Sequence, residues 1–265
     1  MTTVAAVQMI SSPDVAHNIA TARALVAQAA AGGARLVALP EYWPIMGMSD
    51  TDKVDHAEAQ GAGPIQDFMA GAAREHGIWL IGGTLPLVSQ SAGKVMNTTL
   101  VYDPDGQSAG RYDKIHLFGF HNGAESYDEA RTIVPGQDLT LFDAPFGRGG
   151  LAVCSALRFP DLFRAMGECT LMVVTAAFTH TTGQAHWEVL LRARAIENQC
   201  YVLASAQGGV HANGRRTFGH SMLIDPWGTV TALLAEGEGV VSGAIDLDYL
   251  AQVRQNLPAL KHRKF

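Results

Sequence analysis

Charge is scarce in this 265-residue sequence: Asp, Glu, Lys and Arg together make up 17%, against roughly 25% in an ordinary soluble domain. Apolar residues reach 48%, so the shortage of charge points to a large buried interior and excludes a disordered chain. Basic residues are the scarcer sign, 19 against 25 acidic, for a net charge of −6. That balance disfavours a nucleic-acid partner, whose binding face is normally a basic patch. No apolar run reaches the ~18 residues that would span a membrane. Cysteine is rare too. Cys154, Cys169 and Cys200 are too few and too scattered for a disulfide framework, so a reduced, cytoplasmic protein is expected. The opening MTTVAAVQMI has neither a basic n-region nor a cleavage pattern and reads as a first strand. Asn97-Thr98-Thr99 fits a glycosylation sequon, which carries no weight without a secretory signal.

Several signatures of chemistry are missing as well. Gly219-His220-Ser221 lacks the closing glycine of a nucleophile elbow. There is no P-loop, and no GxGxxG follows a strand. The histidines form no HExxH or HxxxH pair and no CxxC occurs, so metal, nucleotide and nicotinamide readings are weak.

What is present is an alternation of apolar strands and helices, with no linker, which favours one domain over 1–265. Strands are expected at residues 4–9, 36–39 and 78–81, and helices at 17–31 and 64–76. A hairpin follows through Asp103-Pro104-Asp105-Gly106. The second half repeats this grammar. It has strands at 150–153, 171–176 and 201–206, helices at 161–166 and 184–198, and a hairpin through Asp225-Pro226-Trp227-Gly228. A last strand is expected at 240–245. Helix 184–198 carries Trp187, Leu190, Leu191, Ala195 and Ile196 on one face. Two similar halves predict an α/β fold of pseudo-twofold design: two mixed sheets face to face with helices outside. A doubly wound single sheet is the alternative.

Three polar residues close apolar strands or hairpins: Glu41 after Ala38-Leu39-Pro40, Lys114 after the first hairpin, and Cys154 after Gly150-Leu151-Ala152-Val153. Strand ends are where α/β sheets place their sites. A carboxylate, an ammonium and a thiol there can make a thiol hydrolase. The carboxylate accepts the thiol proton, and the ammonium lowers the thiol pKa and stabilises an oxyanion. Taken singly, each has a plain reading: a small buried hydrophobe for Cys154, a strand-end acid for Glu41, a surface lysine for Lys114.

In chain order, the segments LVALPEYWP, GRYDKIHLF and GLAVCSALRFPDLF resemble the glutamate, lysine and cysteine motifs of the nitrilase (carbon–nitrogen hydrolase) superfamily. The similarity covers almost the whole chain. It is strongest at TGQAHWEVLLRARAIENQCYVLASAQGG and GHSMLIDPWGTV, which are most like amidases of deaminated glutathione. The resemblance implies a four-layer αββα sandwich, no cofactor and no metal, and hydrolysis of a small linear amide through a thioester. It implies Cys154 as nucleophile, Glu41 as general base and Lys114 as oxyanion-side cation. Glu129, six residues before Pro135-Gly136, would be a second glutamate that fixes Lys114, with Glu125 the lesser choice. Arg158, Phe178, Thr182 and the backbone N–H at Ser155 would face substrate. An acidic substrate needs a cation, supplied by Arg158 or Lys114. Pairing of outer helices would make a homodimer. The alternatives are an omega-amidase or N-carbamoyl amide hydrolase of the same family, and a binding protein that kept the fold without activity.

One motif departs from the family. Cys-Tyr-Asp-x-Arg-Phe-Pro is usual, whereas this chain reads Cys154-Ser155-Ala156-Leu157-Arg158-Phe159-Pro160. Thr175 stands where proline is common. Cys169 and Cys200 are expected to be inert core thiols, and His186 and Trp187 packing residues. The basic run Lys261-His262-Arg263-Lys264 reads as a solvated or dimer-contacting end, too short for a nucleic-acid patch.

Overall fold

A computed structural model describes residues 1–264. The apolar strands gather into two sheets. The first runs in the order Gly239–Ile245, Thr2–Gln8, Leu36–Ala38, Trp79–Ile81, Val95–Tyr102, and Leu85–Val88, Ser108–Asp113 and Ile133–Val134 also pair with Val95–Tyr102. The second runs Leu141–Ala144, Gly147–Val153, Leu171–Ala176, Tyr201–Ala206, Ser221–Ile224, Val230–Leu234. From Gly239–Ile245 to Ser108–Asp113 the pairings are antiparallel, parallel, parallel, antiparallel, antiparallel. The second sheet repeats that series. Parallel neighbours need a crossover, and each half supplies two helices: Val15–Ala31 and Pro64–His76, then Pro160–Ala165 and His180–Asn198. The two hairpin turns are also alike. Asp103 Oδ1 accepts from the N–H groups of Asp105 and Gln107, and Asp225 Oδ1 accepts from those of Trp227 and Thr229.

Side chains alternate across the first sheet, as strand geometry requires. Val4, Ala6, Leu36 and Ala38 share a core with Leu151, Val153 and Val173 of the second sheet. Ala5, Val7, Val37 and Leu39 point the other way, onto Ala22, Val26, Phe68 and Met69 of the helices. Trp187, Leu191 and Ala195 cover the far side of the second sheet. The layers are therefore helix, sheet, sheet, helix, and the single-sheet alternative is excluded. Among the described residues no helix is long and apolar enough to cross a membrane.

Two local expectations differ. The helix expected from 184 begins at His180, because the Thr179 side chain caps it by accepting from the Thr182 N–H. Ile196 is 48% exposed rather than on the buried face. The buried stripe follows 187, 191 and 195, and one further residue turns about 100° away from it. Ile196 instead lies against the turn at Gly228, where a Cβ would meet its side chain. The helix Leu247–Asn256 and the hairpin Gly119–His121/Ser126–Asp128 had no clear sequence signal.

Candidate active site

Strand ends bring the site together. Lys114 directly follows Ser108–Asp113, Cys154 directly follows Gly147–Val153, and Glu41 lies just beyond Leu36–Ala38. Close backbone packing fixes two of them. Gly83 has φ +55°, and a Cβ there would overlap the Pro40 carbonyl beside Glu41. Gly136 donates its N–H to the Lys114 carbonyl at 2.9 Å, and a Cβ there would overlap the Asp113 backbone. Cys154 itself has φ +48° and opens a one-turn 3-10 helix, Cys154–Arg158. A left-handed non-glycine residue costs about 1–3 kcal/mol and persists only where its surroundings enforce it. The buried Arg194 does so from helix His180–Asn198. Its Nε and Nη2 both donate to the Leu157 carbonyl, at 3.2 and 2.8 Å.

Glu41 and Lys114 are fully buried, with Lys114 Nζ 2.8 Å from Glu41 Oε1 and 2.6 Å from Glu129 Oε2. Further donors reach the same two carboxyl groups. Asn97 Nδ2 donates to Glu41 Oε1 at 3.1 Å and the Ala177 N–H to Oε2 at 2.8 Å. Glu129 accepts from the Tyr42 hydroxyl at 2.8 Å and the Phe118 N–H at 2.7 Å. The Cys154 thiol, 4% exposed, has Glu41 as its side-chain partner.

Electrostatics sort the protons. Burial disfavours the Lys114 ammonium, but Glu129 and Glu41 outweigh it and hold its pKa above the ordinary lysine value. Burial also raises Glu129, yet Lys114 and the hydrogen bonds from Phe118 and Tyr42 keep it below the usual carboxylate range. The thiol departs from the sequence expectation. Burial pushes the Cys154 pKa well up, Glu41 and Glu129 push the same way, and Lys114 offsets only part. The resting constellation is thus a neutral thiol beside an ammonium held between the carboxyl groups of Glu41 and Glu129. Such an arrangement can take a proton from sulfur as sulfur attacks, rather than store a thiolate.

The remaining residues singled out in the sequence are dispersed. Ser155 is buried in the turn after Cys154. Arg158 lies over the Phe178 ring at 4.5 Å, has Nη2 3.2 Å from His186 Nδ1, and leaves Nη1 buried without a partner. Phe178 packs on Trp187 at 4.9 Å. The Thr182 hydroxyl is 2.8 Å from that of Thr179. Glu125 accepts from the Thr181 hydroxyl at 2.8 Å and is not a partner of Lys114. Cys169 and Cys200 are buried free thiols. Asn97 of the sequon is buried, with its amide given to Glu41. Among the described residues no group of three or more His, Cys, Asp or Glu is placed to hold a metal ion.

A cavity of about 440 Å³ opens beside the cluster. Tyr42, Phe118 and Glu129 form its inner wall, and Lys53, Asn213 and Arg215 stand in its lining. Cys154, Arg158, Phe178 and Thr182 are not part of that lining. Sequence reading missed Tyr42, Asn97, Arg194 and Arg215. Only Tyr42 had a signal, its place beside Glu41; the others converge through folding alone.

The four-layer α/β sandwich gathers a thiol, two carboxyl groups and an ammonium into one buried cluster, an arrangement suited to hydrolysis by a thiol nucleophile. The carbon-nitrogen hydrolase family matches residues 3–255. The deaminated glutathione amidase of Synechocystis sp. is 40% identical over 267 residues, covering 98% of this chain and 97% of that one. Omega-amidase NIT2-A of Xenopus laevis is 37% identical over 261 residues, covering 97% and 93%. Among solved structures, the C. elegans NitFhit protein matches with a TM-score of 0.89 and 36% identity; it covers 99% of this chain, which spans 65% of that longer one. The chain belongs to the carbon–nitrogen hydrolase family, whose members act on non-peptide carbon–nitrogen bonds.

Proposed function

We propose that this hydrolase is a thiol amidase that cleaves deaminated glutathione to 2-oxoglutarate and cysteinylglycine. The observation that carries the reaction type is the buried Glu41–Lys114–Glu129 chain beside a protonated Cys154. The substrate is supported by the name of the 40%-identical Synechocystis relative.

In this reading Glu41 takes the Cys154 proton as sulfur attacks the amide carbonyl. Lys114 and a backbone N–H at Ser155 hold the oxyanion, a contribution of roughly 3–4 kcal/mol per donor. Glu41 then protonates the leaving amine, the C–N bond breaks, and a thioester remains on Cys154. Glu41 next takes a proton from water; the hydroxide attacks the thioester, and the thiol leaves with that proton. Glu129 is a positioning residue that holds Lys114. Arg158 receives the 2-oxo acid carboxylate, since Lys114 is already committed to two carboxylates.

The chain acts as one catalytic unit, because its last strand completes the sheet begun by its first. Its three unpaired cysteines suit a reducing cytoplasm. Val189, Ile196 and Trp227, exposed on and beside the outer helix, support a homodimer. Mass-spectrometric hydrolysis of deaminated glutathione against 2-oxoglutaramate, by wild type and Cys154→Ala, tests the proposal. Turnover of deaminated glutathione by wild type alone is expected. Turnover by Cys154→Ala refutes the nucleophile. Preference for 2-oxoglutaramate favours the second reading, an omega-amidase, which the Xenopus relative supports.

A further inference from the structure

Two cations line the cavity without an ion pair. Among the described residues neither Lys53 nor Arg215 has a carboxylate oxygen within 4.0 Å. Lys53 is half-buried, lies 5.4 Å above the Tyr42 ring, and donates to the Thr132 hydroxyl at 3.3 Å. Arg215 lies 5.1 Å from the Tyr127 ring centre, and its Nε is buried with no hydrogen-bond partner. A buried N–H without a partner is costly even on a half-buried side chain, and two like charges facing one cavity repel. Arg215 indeed disfavours the charged form of Lys53. An anion in the cavity relieves both costs.

The lining also holds acids, and their commitments matter. Glu129 is bound by Lys114, Tyr42 and Phe118. Glu125 is bound by Thr181, and Asp128 caps the Ala130 N–H. Asp50 favours the Lys53 charge but is exposed and makes no ion pair with it. None of them neutralises Arg215.

Arg215 is also coupled to the reacting centre by one residue. Ala177 donates its N–H to Glu41 Oε2 at 2.8 Å, and its carbonyl accepts from Arg215 Nη2 at 2.8 Å. A two-residue leaving group extends about 7 Å from the scissile nitrogen, which suits a guanidinium two hydrogen bonds from the proton-transferring carboxylate. Arg158, outside the cavity lining, remains for the acyl side.

From this, and resting on the amidase reading above, we infer that Arg215, seconded by Lys53, is a specificity residue that binds the C-terminal carboxylate of a dipeptide leaving group. The site thereby selects amides that carry a carboxylate on both sides of the scissile bond over those, such as 2-oxoglutaramate, that carry one. The test pairs a substrate change with a protein change. Wild type, Arg215→Gln and Lys53→Gln are assayed on deaminated glutathione and on its C-terminal glycinamide analogue, which lacks only that carboxylate. Wild type should prefer the acid by about ten- to a hundredfold in kcat/KM, the worth of a charged hydrogen bond. Arg215→Gln should collapse the preference toward one, mainly through KM, and Lys53→Gln should reduce it less. A general disturbance of Glu41 or of folding lowers both substrates alike and cancels in the ratio. A preference unchanged in Arg215→Gln overturns the inference while leaving the amidase reading intact. Failure of folded wild type to hydrolyse either compound overturns both.

Discussion

Replacing Glu41 by Gln separates two accounts of how the thiol is activated. A buried cysteine next to a lysine invites the view that a thiolate is already formed. The structure argues otherwise, because burial and the Glu41 carboxylate together outweigh Lys114. At a separation of about 4 Å and an effective dielectric near 20, one unit charge is worth about 4 kcal/mol. Removing the Glu41 charge should therefore increase the Cys154 thiolate population at a given pH by about a thousandfold. Glu129 still pairs Lys114 in this variant, so no buried ammonium is orphaned. The two effects have opposite signs: amide turnover is lost, by at least about a hundredfold, while thiolate appears. Ultraviolet absorbance of the thiolate, followed against pH, reads the second directly, with Cys154→Ala as the blank. Cys169, pushed up to about 11 by burial, and Cys200, pushed higher still, stay silent near neutrality. A thiolate signal in wild type near neutral pH that vanishes in Cys154→Ala would refute the reasoning. So would a Glu41→Gln variant with no gain in thiolate.

Three further outcomes follow from the same structure. Glu129→Gln should lower kcat about a hundredfold with little change in circular dichroism, because it weakens the charge-assisted bond to Lys114 and those from Tyr42 and Phe118; an unchanged kcat would make Glu129 a bystander. Thr175→Val should stabilise the fold by about 1 kcal/mol in urea unfolding, since the Thr175 hydroxyl is buried with no hydrogen-bond partner; destabilisation would show the hydroxyl to be satisfied. His211, held neutral between Ser11 and Thr217, has its pKa lowered by burial to about 4. Its folded pKa lies below the unfolded ~6.5, so its contribution is complete above pH ~6.5 and falls by about 3 kcal/mol as pH drops toward 4. His211→Gln should flatten the melting temperature over that window, and an equal slope in both proteins would remove His211 from the account.

The layered fold was legible because both sheets are built from short, wholly apolar strands separated by turn residues. The matched Asp-Pro-x-Gly hairpins marked where each half repeats. Glu41, Lys114 and Cys154 stood out by their position after such strands and by the motifs around them. The thiol's protonation was not legible, since it depends on burial and on how three charges balance at contact distance. Nor was Arg194, which holds the Cys154 turn from 37 residues away, or Asn97, whose sequon pattern concealed a hydrogen bond to Glu41. Such partners share no sequence pattern and meet only after the sheets have stacked.

The pairing of Thr2–Gln8 with Gly239–Ile245 sets an order of events during synthesis. The first strand leaves the ribosome early but waits for nearly the whole chain before its outer neighbour exists. Until then it offers a row of unpaired amides on an apolar ribbon, the kind of surface that recruits other nascent chains. The same closure is a non-local contact whose loop entropy slows the final folding step. A chain cut off between residues 234 and 239 would hold every strand of the second sheet and leave the first unsealed.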